Sequence, residues 1–220
     1  MEKKLLAIEN ARIALVRVAL LFFASLLWLV AWRYYPHIAV EHGPMENFQA
    51  ACILAGMFVL AWTAWRTPDA AGRILYAGVI LLYLTFLLVE FDTRPLQNKW
   101  LTILFNGVVR NTALVILWVA GFFWFLRHVR AVFEFFARWI RAPAGITLVI
   151  SGGYWLLAGA IDKVHPFTTG NANLMAEEFL EVNAAFLMLL VAIDCRERRP
   201  TSESAAGLAE TLQKNSEKVR

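Results

Sequence analysis

The sequence predicts an all-α polytopic membrane protein, with six transmembrane helices arranged as three hairpins and both termini in the cytoplasm. Three observations carry this reading. The 220 residues are 60% hydrophobic and 17% charged, with mean hydropathy +0.56; soluble domains average about 45–50% apolar and about 25% charged. The apolar residues fall in continuous runs of about 20, the length that crosses a hydrocarbon core, and lack the period-two alternation of a barrel. Backbone groups in lipid must pair within their own segment, so these spans are helices. Finally, the basic residues are sorted. With the N-terminus in the cytoplasm, only Arg33, Arg94, Lys99, Arg110 and Lys163 of the 21 Lys and Arg fall outside, as the positive-inside rule requires. That sorting accounts for the pI of about 9.3 without nucleic acid as a partner.

The first span is read at 13–32 (IALVRVALLFFASLLWLVAW). It lacks a small-residue cleavage site and closes on Trp32, Arg33, Tyr34 and Tyr35, an interfacial anchor, so it is an uncleaved span and not a signal peptide. Arg17 lies one turn inside it, within snorkelling reach of the inner surface. Span two is read at 47–65. The turn RTPDAAGR, punctuated by Pro68 and Gly72, leads to span three at 74–90. Span four covers 108–126. The segment RHVRAVFEFFARWIRAP then mixes Arg with Phe, Trp and Ile, which predicts an amphipathic helix on the inner leaflet over 127–142. Pro143 opens the turn into span five at 144–161, and span six covers 176–194. Residues 1–195 form the membrane domain and 196–220 a polar cytoplasmic tail, with the chain integral to the cell (inner) membrane. Cys52 and Cys195 sit at different depths, and neither CxxC nor Cys/His zinc spacing is present.

The acids are also sorted. Glu41, Glu46, Glu90, Asp92, Asp162, Glu177, Glu178 and Glu181 fall on the outer side, with His37, His42 and His165. Glu46 opens span two in EHGPMENFQ, Glu90 closes span three, Asp162 closes span five, and Glu177, Glu178 and Glu181 open span six. A Glu at a helix N-terminus gains about 0.3–1 kcal/mol from the macrodipole, which explains Glu46 and Glu177 as caps. It does not explain Glu90 or Asp162, at the unfavourable dipole end, nor Glu181, one turn deeper than a cap needs. Glu178 and Glu181 are three apart and share a helix face. MENFQAA at span two is echoed by AEEFLEVNAA at span six; aligning Glu46 with Glu178 sets Gln49 opposite Glu181.

Arg110 stands in LFNGVVRNTALVILW between apolar residues and beside Asn106 and Asn111. Arg at a span centre costs about 2.5–3.5 kcal/mol on insertion scales, so a structural ion pair with Glu90 is expected. The other reading makes 96–107 an interfacial helix and Arg110 the outer start of span four. Carboxylates with neutral imidazole suit Zn or Mn, and a catalytic metal needs about three protein ligands and an open position. His42, Asp92, His165 and Glu178 are the candidate metal ligands. Glu46 and Glu181 are the candidate catalytic carboxylates, one acting as general base to metal-bound water. The bland reading of each is a surface histidine or a solvated span end. P-loop, GxGxxG, GxSxG and HExxH motifs are absent. SGGYW at 151–155 reads as a close-packing helix face.

In E-x-G-x-x-E (Glu41, Gly43, Glu46), E-x-D (Glu90, Asp92) and EExxE (Glu177, Glu178, Glu181), the chain resembles small bacterial membrane proteins with acidic motifs at successive span ends. That resemblance covers most of the membrane domain and implies no activity. In pooling His and acids at one membrane face, it is more distantly similar to the alkaline ceramidase and adiponectin-receptor hydrolases. Those have seven spans and a three-His zinc pattern that this chain lacks, so no residue role carries over. Three functions fit the sequence: a metal-dependent hydrolase or transferase on a lipid-type substrate, a proton- or cation-coupled transporter, and a non-catalytic subunit or assembly factor docking a membrane-protein partner.

Overall fold

A computed structural model describes residues 2–39, 43–90, 107–167 and 169–197. Those residues form seven α-helices and a 3-10 turn, with no strand among them. α1 is Glu2–Tyr34, followed by the 3-10 turn Pro36–Ala39. α2 is Pro44–Arg66, α3 Ala70–Glu90, α4 Gly107–Arg127, α5 Val129–Trp139, α6 Pro143–Val164 and α7 Gly170–Glu197. Residues 198–220 of the expected tail and the alternative interfacial helix at 96–106 lie outside the described residues.

The helix boundaries follow local chemistry. α1 begins well before residue 13 because EKKLLAIENAR is built from good helix formers with no Gly or Pro. It stops at Tyr34 because Pro36 disfavours helical backbone at Tyr35. Gly43 is extended and Pro44 takes the first position of α2, where its missing N–H costs nothing. Asp69 caps α3, its carboxylate accepting from the N–H groups of Gly72 (3.1 Å) and Ala71 (3.3 Å). The amphipathic segment expected over 127–142 is α5, which buries Val132 and Trp139. The turn from α5 into α6 admits only glycine at position 145, where an added Cβ would stand 2.4 Å from Ile140 Cα. α6 ends at His165 in the left-handed region, φ 47° and ψ 60°, ahead of Pro166. Asn173 ties the following turn to α7, donating to the carbonyls of Phe167 (3.0 Å) and Thr169 (3.2 Å).

Among the described residues, five helices are long and apolar enough to cross a bilayer: α1 from Leu15, α2, α3 to Leu88, α4 and α6. These place the chain in a membrane. α7 has ample length, 28 residues, but carries Glu177, Glu178, Glu181 and Asp194. It is instead the most enclosed helix, packed mainly against α6 and α2 and crossed by α1. Packing therefore does not follow hairpin order: α6 and α7 form a close pair, while α2 packs on α7 and α3. α2 and α7 are parallel neighbours. Met45 packs with Val182 near their starts, and Cys52, Ile53 and Leu60 with Ala185, Met188 and Val191 further along. Cys52 and Cys195 are free, buried thiols in this core.

The centre of the bundle is a three-helix crossing. Tyr83 of α3 is fully buried and its hydroxyl donates to the Met188 carbonyl of α7 at 2.6 Å. Gly56 of α2 makes room for it, since a Cβ there would stand 2.9 Å from the Tyr83 ring. Gly56→Val should drive the ring from its seat and lower the thermal midpoint in detergent more than Tyr83→Phe, which loses only a hydrogen bond of about 0.5–1.5 kcal/mol. Combining Gly56→Val with Tyr83→Leu should recover part of the loss. Full additivity of the two changes would contradict the contact.

An acidic mouth and a buried polar seam

Glu46, Glu177, Glu178 and Glu181 gather at the end of the bundle where α2 and α7 begin, here termed the acidic end. Arg66, Arg73, Arg127 and Arg196 mark the opposite, basic end. Glu46 is half-buried in the first turn of α2. Glu178 and Glu181 are each only 8% exposed, although a helix start in a membrane protein ordinarily returns to water. Their shared face turns into the bundle. Glu177, half-buried beside them, lies within electrostatic reach of Asp162 and His165 at the end of α6. The structure thus joins the start of α7 to the end of α6.

The echo between the two helix starts leads to Gln49. Met45, Gln49, Cys52, Ile53 and Gly56 form one buried face of α2, with helical spacing of three and four. Since Met45 packs with Val182 and Ile53 shares the core of Ala185, Gln49 stands at the level of α7 just past Glu181. It is 1% exposed, and neither its amide oxygen nor its nitrogen forms a hydrogen bond among the described residues. Such a group costs about 1–3 kcal/mol. It offers an unused donor and acceptor in the bundle interior.

Past that level α7 carries two sets of buried polar contacts, one at Asn183 and Ala184 and one at Asp194, with the apolar run 185–193 between them. Ser25 of α1 donates to Asn183 Oδ1 at 2.9 Å, and Asn183 donates to the Phe179 carbonyl at 2.6 Å. Ser151 of α6 donates to the Ala184 carbonyl at 2.9 Å. At the second set, roughly three turns further along α7, Arg17 Nη1 donates to Thr147 Oγ1 at 3.1 Å, while Nη2 forms a salt bridge with Asp194. The Arg17 and Asp194 side chains are 12% and 9% exposed. Arg17 therefore does not snorkel to the surface. A carboxylate and a hydroxyl hold it between α1, α6 and α7.

The other expected site residues fall elsewhere. His165 caps α6 on the exposed surface. His42 and Asp92 lie outside the described residues. Among the described residues no group of three or more His, Cys, Asp or Glu is placed to hold a metal. Arg110 donates from Nη1 to the Leu88 carbonyl at 2.7 Å, so its positive charge meets the negative end of the α3 dipole. Glu90 closes α3 two residues on, and the expected pairing through its carboxylate lies outside the described residues.

Sequence reasoning missed the Arg17–Asp194 pair and the Ser25–Asn183 and Ser151–Ala184 clamps. The signal was present: Arg17 and Asp194 are opposite charges set inside the first and last apolar runs, both near the basic end. Comparison with family models, with curated proteins and with solved structures gives no match.

Removing one partner of a buried pair leaves an uncompensated charge, at about 3–5 kcal/mol. Arg17→Met and Asp194→Leu should each sharply lower the thermal midpoint in detergent, and the double variant should regain most of it. Equal midpoints for wild type and both single variants would show that the pair does not hold α1 in place.

Proposed function

We propose that the protein is a proton- or cation-coupled transporter of the cell membrane, crossing it six times with both termini in the cytoplasm. The observation that carries this reading is the buried seam on α7. From Glu178 to Asp194 it spans about 24 Å of helix rise, most of the roughly 30 Å hydrocarbon thickness. Ionisable groups at membrane depth are costly, and where they occur they line ion or proton pathways.

The roles follow from residue chemistry. Glu178 and Glu181 attract a cation from the acidic side and can take up a proton. The Gln49 amide adds a neutral oxygen acceptor next to them without further charge. Ser25, Asn183, Ser151 and Thr147 supply hydroxyls and an amide that accept and donate in turn. Arg17 and Asp194 stand at the far end as a neutral pair, and a proton arriving on Asp194 would free Arg17. The sorting of basic residues supports the orientation, with the acidic mouth facing outward.

Flux into proteoliposomes, read with an entrapped pH dye under an imposed gradient, tests the reading. Wild type should exceed empty liposomes, and Glu181→Gln should lower the rate by on the order of tenfold, a 1.4 kcal/mol effect. A wild-type rate equal to that of empty liposomes, for protons and for alkali cations alike, would refute it. Stoichiometric zinc or manganese in the purified protein would instead favour a metal-dependent hydrolase.

Gln49→Leu separates stability from function. Replacing an unsatisfied buried amide with an apolar side chain should raise the thermal midpoint, by about 1–3 kcal/mol in stability, while lowering the flux. A variant that is both less stable and fully active would contradict the placement of Gln49.

A further inference from the structure

The seam leaves α4 unexplained. It packs lightly on α3 and touches α5 only at its end. α3 and α4 are tied by polar contacts towards the acidic end, Arg110 Nη1 to the Leu88 carbonyl at 2.7 Å and Trp118 Nε1 to Thr85 Oγ1 at 3.1 Å. Towards the basic end, α3, α4 and α5 line a half-open cavity of about 690 Å³, within the roughly 300–1,000 Å³ range of ligand sites. Gly78 and Leu81 line it from α3, Gly121 and Trp124 from α4, and Val132 and Phe136 from α5. The lining is almost wholly apolar. Gly78 opens one wall, since a Cβ there would meet nothing within 4 Å.

The chemistry changes at the mouth. Arg73 precedes the lining residue Ala77 by one turn of α3, and Arg127 follows Trp124 by one turn of α4. Both are exposed, and neither forms a salt bridge with an acid among the described residues. The acids nearby are already engaged: Asp69 caps α3, and Glu134 pairs with Arg130 at 3.6 Å. α5 is the amphipathic floor, with Val132 turned inward and Arg130 turned out. An apolar slot ending in two guanidinium groups that have no acid partner among the described residues fits one ligand class, an amphiphile with an anionic head.

We propose that the α3–α4–α5 cavity is a specific site for an anionic phospholipid of the leaflet at the basic end. An acyl chain fills the slot, and the phosphate and anionic headgroup lie between Arg73 and Arg127. Basic pockets between membrane helices on the cytoplasmic side suit such headgroups, and guanidinium forks match phosphate geometry. Any membrane crevice fills with acyl chains, so the content of the proposal is selection by headgroup charge. Bound lipid also completes the packing of α4 on the bundle.

The test purifies the full chain with equimolar phosphatidylglycerol and phosphatidylcholine of matched acyl chains and counts retained lipids by native mass spectrometry. Wild type should retain phosphatidylglycerol by on the order of tenfold over phosphatidylcholine, given two basic contacts to the anionic head. Arg73→Gln combined with Arg127→Gln, both surface changes, should abolish the preference. Gly78→Leu should reduce retention of both lipids, and it improves helix propensity. Equal retention of the two lipids by wild type would overturn the proposal and make the slot ordinary lipid-facing surface. So would an unchanged preference in the double arginine variant.

Discussion

One constraint organises the structure: α7 is too polar to face lipid. Glu178, Glu181, Asn183 and Asp194 are buried on it, and a polar group left against acyl chains costs several kcal/mol unless it is paired. The helix must therefore be wrapped. α6, α2 and α1 do this, and α1 and α6 each bring two polar side chains to it: Arg17 and Ser25 from α1, and Thr147 and Ser151 from α6. The five apolar helices satisfy the membrane, whereas the sixth, α7, satisfies only its neighbours.

The energetics differ from those of a soluble core. Between helices in lipid there is little hydrophobic drive, and association rests on close packing and on interhelical polar contacts of about 0.6–2 kcal/mol each. Small residues set the approach distance. Ala184, Ala185 and Ala192 are fully buried on α7, and Gly56 lets the Tyr83 ring cross α2. α1 shows the polar part most clearly. Most of its apolar side chains face outward, while Arg17, Leu21, Ser25, Trp28 and Trp32 form a partly buried stripe at helical spacing. Two of those five make polar contacts, so direction and register of α1 on α7 depend on a salt bridge and a serine.

Five of the expected spans were legible because hydropathy is a local property of twenty residues, and α5 because its apolar and basic faces alternate within one short segment. The acidic mouth was partly legible. Glu181 stood out as deeper than a cap requires, and the echo of MENFQAA in AEEFLEVNAA pointed to Gln49 opposite it. Both residues are buried on adjacent parallel helices. What stayed hidden depends on partners distant in the chain or on backbone. Asp194 reads as the last residue of span six, an ordinary return to water, until α1 is laid across it. Arg110 invites a search for a carboxylate, but the acceptor described is the carbonyl of Leu88, which any helix end offers. His165 drew a metal reading from its residue type. Pro166 and the end of α6 fix it as a left-handed cap on the surface, within electrostatic reach of Glu177.

On the transporter reading, the two ends of the seam cannot be interchanged. At the acidic end, Glu178 and Glu181 lie close in one helix face, so a cation or proton between them relieves like-charge repulsion and is held. At the basic end, Arg17 and Asp194 cancel. Protonating Asp194 would expose the full charge of Arg17 to the seam and raise the barrier to a following cation, and releasing the proton would restore the neutral pair. The charge order along α7 therefore favours entry at the acidic end and a gate at the Arg17–Asp194 pair. A seam built only to clamp helices would need neither the charge difference between its ends nor an amide such as Gln49, whose buried donor and acceptor are unused among the described residues.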